Sequence, residues 1–402
     1  MTERLYYHDA YTMHFSATVL ERLTMNGRPA VVLDRTYFYP SGGGQPFDTG
    51  VLNAIQVIEV LPRSEDRAVI HVLNEPLQDD AVTGVVNWSR RFDHMQHHTG
   101  QHILTQAFVQ VAHANTVSFH LSPDSVTIDL DVTILSQEQL ASVEDLANQI
   151  IWDNRPVTTA WRQADDQEGV RVRRLPKQSL TGGLRIIDIE GFDVTACGGT
   201  HVARTGEIGI IKVLKTERRG NKTRVEFRCG MRALRDFRDK TSVSNLLSAS
   251  LNCRLSEIPD AINRLKADLK TTQAALKGAT NRLLDLEAAR LLSKAPQRGH
   301  LTIITETYGN RDVGEVKQLA AKLVEQPGVV ALLGVAGPQA VLCFARSQNL
   351  DNDMGMLLRE TLAKFGGRGG GQPEFAQGGG VPLDKETLQS ALVSAQTALL
   401  AE

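Results

Sequence analysis

The spacing of hydrophobic and polar positions changes character several times along this chain of 402 residues. Up to about Val86 the apolar residues come in short alternating runs. Phe15–Leu20, Arg28–Asp34, Val51–Val60 and Arg67–Leu73 read as strands punctuated by glycine and proline, and a small β-barrel is the economical way to close them. From Asp93 to about Leu234 two periods mix. His94–Ala112 carries apolar residues at helical spacing, and Val126–Val132 alternates as a strand. Ser136-Gln-Glu-Gln opens as a capping box for a helix reaching about Asn154. Leu184–Glu190 reads as the strand that delivers Cys197, and Ile208–Leu214 with Thr223–Phe227 reads as a hairpin around Gly220-Asn221.

Beyond Arg235 the pattern becomes helical and amphipathic as far as Lys294. Ile262, Leu269, Leu276 and Leu283 occupy one heptad position, with Leu265, Ala279 and Leu286 at another, giving a coiled-coil-like seam that Thr272 and Arg290 interrupt. Pro259 fits the first turn of that helix and Ser256 is a candidate cap. After Gly299 the chain reads α/β: strands at Leu301–Thr305, Val329–Gly334 and Ala340–Ala345, with helices over Val316–Val324 and Met354–Phe365. The expected architecture is a multidomain α+β protein: a barrel at 1–90, an α+β sandwich at 91–234, a helical arm at 235–298 and an α/β glycine-rich domain at 299–402.

Composition narrows the class. Hydrophobic content of 42% and charge of 22% are ordinary for a soluble globular chain. Val329–Ala345 comes nearest to a membrane span but is broken by Gly334, Gly337, Pro338 and Gln339, so it reads as two buried strands around a turn. The start Met1-Thr-Glu-Arg-Leu has no apolar signal core, and four scattered cysteines do not make a disulfide framework, so a cytoplasmic location is expected. A net charge of −2 argues against indiscriminate nucleic-acid binding. Local basic groups remain at Arg171, Arg173, Arg174 and Lys177, and again at Lys215, Arg218, Arg219, Lys222 and Arg224; a solvated hairpin tip is the bland reading of the second. The glycine runs at 366–371 and 378–380, with Arg359, Lys364 and Arg368 nearby, offer backbone N–H groups to phosphate or RNA, or form a dimerisation loop.

The candidate chemistry lies in two short pairs. His98 and His102 are four apart, on one face of the expected helix. Cys197 and His201 repeat that interval with glycines between, so a turn would bring them round. Three imidazoles and a thiolate suit Zn²⁺, one ion per chain. His94 also stands four residues from His98, so spacing alone leaves the first pair open.

His98-Thr-Gly-Gln-His102 followed by Cys197-Gly-Gly-Thr-His201 resembles the metal site of the alanyl-tRNA synthetase editing domain and its free-standing AlaX relatives. The glycine-rich stretch Ser41-Gly-Gly-Gly-Gln45 matches a third part of that pattern, although Ser41 stands where the family has an acidic residue. Gly366–Pro373 with Ala376–Gly380 resembles the glycine-rich C-terminal domain of alanyl-tRNA synthetase. The resemblance implies a barrel like the second domain of elongation factors, and His98, His102, Cys197 and His201 as zinc ligands. It implies hydrolysis of tRNA(Ala) wrongly carrying serine or glycine, acting in trans and without ATP. Thr36 and Gln45 are the candidates to bond the serine hydroxyl. Arg218, Arg219, Lys222 and Arg368 are candidates for contact with tRNA, and a homodimer through the C-terminal domain is a further expectation. The competing reading is a non-catalytic tRNA-binding module whose zinc is structural, since four protein ligands fill a tetrahedral shell.

Overall fold

A computed structural model describes residues 1–123, 125–163, 169–171 and 183–401, which fall into two compact units, Met1–Leu247 and Ser248–Glu402. In the first unit, strands His14–Met25, Arg28–Leu33, Val69–Leu73, Ile55–Pro62, Gly50–Leu52 and Ala81–Val86 follow one another around a closed barrel. Alternation along His14–Leu20 turns Phe15, Ala17 and Val19 inward, where they meet Leu33, Leu52 and Leu73. The run Val51–Val60, expected as one strand, is a hairpin. Leu52 pairs with Ile55, and Asn53 adopts a left-handed φ of 53° while its side chain accepts Thr83 N–H and donates to Asp79. Alternation reads the same through a two-residue turn, so only Asn53, a residue that tolerates positive φ, marks the break.

Helix α1 (Trp88–Ala112) leaves the barrel with Asn87 as its cap and starts six residues earlier than its apolar period suggests. Helix α2 (Gln137–Trp152) carries both halves of the expected box between Ser136 and Gln139. The two helices share one core with a four-stranded antiparallel sheet ordered Ile211–Arg219, Lys222–Cys229, Val126–Leu130, Thr116–Leu121. A three-stranded sheet of Val157–Arg162, Leu184–Ile189 and Asp193–Ala196 completes this half. Cys197 is therefore delivered by Asp193–Ala196, one strand later than the sequence pattern indicated. The hairpin expected at Gly220-Asn221 is present, and α3 (Gly230–Leu251) follows it.

One buried ion pair joins barrel to helix. Arg91 on α1 is 1% exposed and Asp48 is wholly buried. The guanidinium grips Asp48 through Nε and Nη2 and donates its remaining bonds to the carbonyls of Ala10 (2.8 Å) and Tyr37 (2.5 Å). Asp48 in turn accepts Tyr39 N–H at 2.7 Å, so every nitrogen of the guanidinium and both carboxylate oxygens have a partner.

In the second unit the central strands are apolar on both faces because both are covered. Ile303, Val330, Leu332 and Leu342 pack with α6 (Met354–Ala363) and α7 (Lys385–Ala401), while Ile304, Ala331, Leu333 and Cys343 pack with α5 (Val313–Leu323) and the end of α4 (Ile258–Lys294). α7 has no counterpart in the sequence reading. Pro259 does sit in the first turn of α4, but Ser256 does not cap it: Glu257 is the N-cap, and its side chain accepts Arg254 N–H instead of an amide of α4. The face of α4 that packs carries Leu284, Ala288 and Leu291, whereas the heptad residues Leu265, Leu269, Leu276 and Leu283 are exposed. Beyond the turn at Gly366-Gly367 the glycine runs lie in strands. Arg368–Gln372 pairs antiparallel with Phe375–Leu383, and a Cβ on Gly369 would lie 2.6 Å from Gly378 Cα, so the glycines exist to let two strands and α6 close up. No helix among the described residues is long and apolar enough to cross a membrane.

Two measurements test this account. Arg91→Met strands a buried carboxylate and should cost about 3–5 kcal/mol in chemical denaturation. Arg219→Ala, which removes an exposed partner of Glu217, should cost less than about 1 kcal/mol. Acid should also weaken the first unit. Burial holds His71 at about 4, His97 at about 4 and His94 at about 3, below the ordinary 6.5. The unfolded chain takes up these protons first, so the folded state loses stability as pH falls from about 6.5 through 4. His71→Gln cannot titrate and should flatten the measured pH dependence of the unfolding midpoint over that window.

Candidate metal centre

The site grows from α1. His98 and His102 stack on one helix face, are 2% and 3% exposed, and lie with ring centroids 5.4 Å apart. The second pair arrives on a tight loop after Asp193–Ala196, anchored where Cys197 N–H bonds Arg185 O at 3.0 Å. Only glycine fits at 199: a Cβ there would stand 2.2 Å from His98 Cε1 and 3.0 Å from Gln45 Oε1. With no side chain in the way, Cys197 Sγ comes within 3.3 Å of both His98 Nε2 and His201 Nε2. The four donor atoms of His98, His102, Cys197 and His201 all lie within 4.8 Å of one another. Bonds of about 2.0–2.3 Å in a tetrahedral zinc shell put neighbouring N and S donors about 3.5 Å apart, so the set fits a single ion of that type.

Each imidazole has a polar side chain behind it. His98 Nδ1 donates to Gln45 Oε1 at 2.8 Å, and Gln45 also accepts Thr200 N–H at 3.1 Å and donates to Thr200 Oγ1 at 2.8 Å. His201 Nδ1 meets Thr99 Oγ1 at 3.1 Å. His102 Nδ1 faces Asp193 Oδ2 at 3.5 Å, and that carboxylate is gripped by Arg171 and by Thr195 Oγ1. Hydrogen bonds like those of His98 and His201 select the tautomer that leaves the other ring nitrogen for metal, whereas His102 Nδ1 makes no hydrogen bond and faces Asp193 as a charge.

The electrostatics agree. Burial alone would push the Cys197 thiol up, but the imidazoles of His98, His201 and His102 outweigh it and hold the group well below its ordinary value. Burial opposes a proton on His201 strongly enough to bring it down to about 3, Cys197 notwithstanding. Burial opposes charge on His102 too, yet Cys197 and Asp193 raise it. A thiolate amid imidazoles with anionic backing is the state a cation needs.

His98, His102 and Cys197 open on a cleft of about 630 Å³, with Tyr39, the Gly42–Gly44 turn and Phe119 among its walls and Gln101 and Tyr7 also lining it. His97 is turned away, its Nδ1 on Asp93 O and its Nε2 accepting Cys229 N–H, and His94 is outside the donor set. Thr36 is buried in the barrel: its hydroxyl accepts Phe38 N–H and bonds His71 Nε2 at 2.9 Å. Arg218, Arg219 and Lys222 are exposed at the hairpin tip, Arg219 paired with Glu217 and Arg218 bonded to Gly220 O. Arg368 is exposed on its strand in the second unit. Arg171 serves Asp193, while Arg173, Arg174 and Lys177 lie outside the described residues. Sequence reasoning missed Asp193, Arg185, Thr99 and Thr200. Thr99 and Thr200 each adjoin a ligand and were readable as hydroxyls beside it; Asp193 and Arg185 carry no periodic signal.

A buried single-ion N₃S site at the foot of a cleft, on an α+β scaffold beside a small barrel, defines a metal-bearing protein of the hydrolase type. Residues 184–226 match the family described as threonyl and alanyl tRNA synthetase second additional domain. The alanine–tRNA ligase of Pyrococcus furiosus is 33% identical over 94% of this chain, and that of Thermococcus kodakarensis is 32% identical over 94%. The chain spans only about two fifths of these ligases, 42% and 41% of their lengths. The alanyl-tRNA editing protein AlaX-L of Pyrococcus horikoshii is 30% identical over 94% of both chains. The chain belongs to the alanyl-tRNA editing protein family, whose relatedness to alanyl-tRNA synthetase it shares along nearly its full length.

Cys197→Ala and His102→Ala should each abolish stoichiometric zinc in metal analysis of the purified protein. Gln45→Leu leaves all four donors but unpairs His98 Nδ1 and Thr200 N–H. Its zinc affinity should fall about 10–100-fold in chelator competition; wild-type affinity would show that Gln45 does not orient His98.

Proposed function

We propose that this protein deacylates tRNA(Ala) charged with the wrong amino acid, serine foremost and glycine second, acting in trans in the cytoplasm. The observation that carries the reading is the His98/His102/Cys197/His201 set at the foot of a cleft able to take an aminoacylated 3′ end. Zinc held there would polarise or position the ester. The walls hold the acyl group against the ligands, Gln45 keeps His98 in register, and Asp193 keeps His102 turned toward the site. The closed set of four protein donors favours a second reading, a structural zinc in a tRNA-binding module. Release of serine from seryl-tRNA(Ala), with alanyl-tRNA(Ala) spared, supports the first; tight tRNA binding without release supports the second.

Selectivity rests on one hydroxyl. A polar pocket left unpaired by alanine can reject it by roughly 10⁴-fold. We assign Gln45 and Thr36 to that selection. Gln45 stands directly behind the ligands. Thr36 already bonds His71 and Phe38, so it acts on a substrate only through the barrel wall. Thr36→Val keeps the shape and should lower the seryl-to-alanyl rate ratio by roughly tenfold, the equivalent of about 1.4 kcal/mol; an equal fall for both esters would leave Thr36 with a folding role alone. The tRNA body falls to the exposed cations Arg218, Arg219, Lys222 and Arg368, and the exposed leucines of α4 fit a homodimer through the C-terminal unit. Charge reversal at Lys222 should raise KM and leave kcat unchanged, since phosphate contacts position without doing chemistry.

A further inference from the structure

One side chain sets the orientation of the peptides between Cys197 and Thr200. Arg185, 7% exposed on the Leu184–Ile189 strand, directs Nη1 to the carbonyls of both Cys197 and Gly199, at 2.8 Å each. Its Nε donates to the Tyr7 carbonyl at 3.2 Å, and its guanidinium lies 5.4 Å from the centre of the Tyr7 ring. A trans peptide points its N–H opposite to its C=O, and no cis bond occurs among the described residues. The two carbonyls held on Arg185 therefore turn the amides of Gly198 and Thr200 the other way.

The Thr200 amide shows which way that is. It reaches Gln45 Oε1, the oxygen that also receives His98 Nδ1. Between them, the Gly199 amide lies 3.4 Å from Cys197 Sγ. Three successive N–H groups thus face the metal side, as in the backbone nests that hold anions. Two are occupied. Gly198 lines the cleft, and among the described residues its amide meets no hydrogen-bond acceptor.

We propose that the Gly198 N–H receives the oxyanion that develops on the ester carbonyl oxygen, and that Arg185 is the positioning residue that aims it. The inference rests on the deacylase reading. In that reaction a water oxygen adds to the ester carbon, and the C=O π pair moves onto the carbonyl oxygen. When that pair returns, the C–O bond to the ribose breaks; the ribose oxygen takes a proton from the water, giving free amino acid and free tRNA. Charge builds on the carbonyl oxygen only between those two events, which is when a preset donor is worth most.

Gly198 has room for a Cβ, its nearest contact being the Tyr7 hydroxyl at 3.7 Å. Gly198→Ala therefore keeps the donor and Gly198→Pro removes it. In full-length, zinc-loaded protein, kcat for seryl-tRNA(Ala) should be about 10²–10³-fold lower in the Pro variant than in the Ala variant, with similar KM and equal zinc content. Equal kcat overturns the proposal. Arg185→Lys keeps the charge and the amide but loses the rigid planar group whose Nε bond to the Tyr7 carbonyl fixes where Nη1 points. It should lower kcat at least about tenfold at unchanged KM and zinc content, and it decides the matter if the Pro variant fails to fold or to load zinc. A wild-type kcat in this variant, or loss of zinc from it, overturns the positioning role. If the wild-type protein releases no serine, the deacylase reading itself fails, before any variant is compared.

Discussion

The buried pair of Arg91 and Asp48 is the constraint on which the rest of the first unit depends. Asp48 follows Gln45 by three residues, and Arg91 precedes His98 by seven, close to two helical turns. Fixing those two charges against each other fixes the height at which α1 stands beside the glycine-rich turn. At that height Gln45 Oε1 and His98 Nδ1 meet at 2.8 Å. A buried charge pair is a poor source of net stability, because desolvation offsets most of its attraction. Its value here is geometric: a slip of one residue would leave two charges unsatisfied, whereas a slip between apolar surfaces would cost far less.

Legibility of the sequence followed the range of the interaction. Features set within a few residues were readable: the capping box at Ser136, the hairpin at Gly220-Asn221, the i,i+4 pair on α1 and the matching interval at Cys197. The metal set was readable for the same reason, as two local spacings that needed only to be brought together. Features set by tertiary contact were not. Val51–Val60 kept its alternation through a turn, and the heptads of α4 marked a face that the second unit leaves in solvent. The face it buries, through Leu284, Ala288 and Leu291, was masked by the stronger repeat. The groups behind the ligands, Asp193 and Arg185, sit at intervals with no period, since each reaches its partner across a sheet.

Glycine carries two different meanings in this chain, and composition did not separate them. At 199 the missing side chain makes way for an imidazole, and the consequence is chemical. At 369 and 378 it makes way for a neighbouring strand, and the consequence is architectural. The second was expected to present free amides to an anion. Its ladder bonds to Phe375–Leu383 use much of that capacity, so the anion contact proposed for the second unit rests on side chains such as Arg368 rather than on a glycine loop. The amide that does remain available, that of Gly198, lies beside the metal ligands.

His98 and Cys197 are 99 residues apart in sequence, and the loop between them spans a helix pair and two sheets. The donors therefore come together only in the docked arrangement of barrel, α1 and the Asp193–Ala196 strand. An ion captured only in that docked arrangement would bind after the folding barrier. An ion that binds after the barrier stabilises the native state without stabilising the transition state, so it slows unfolding and leaves the folding rate nearly unchanged. An ion bridging His98 and Cys197 would then act as a kinetic latch on a chain already folded.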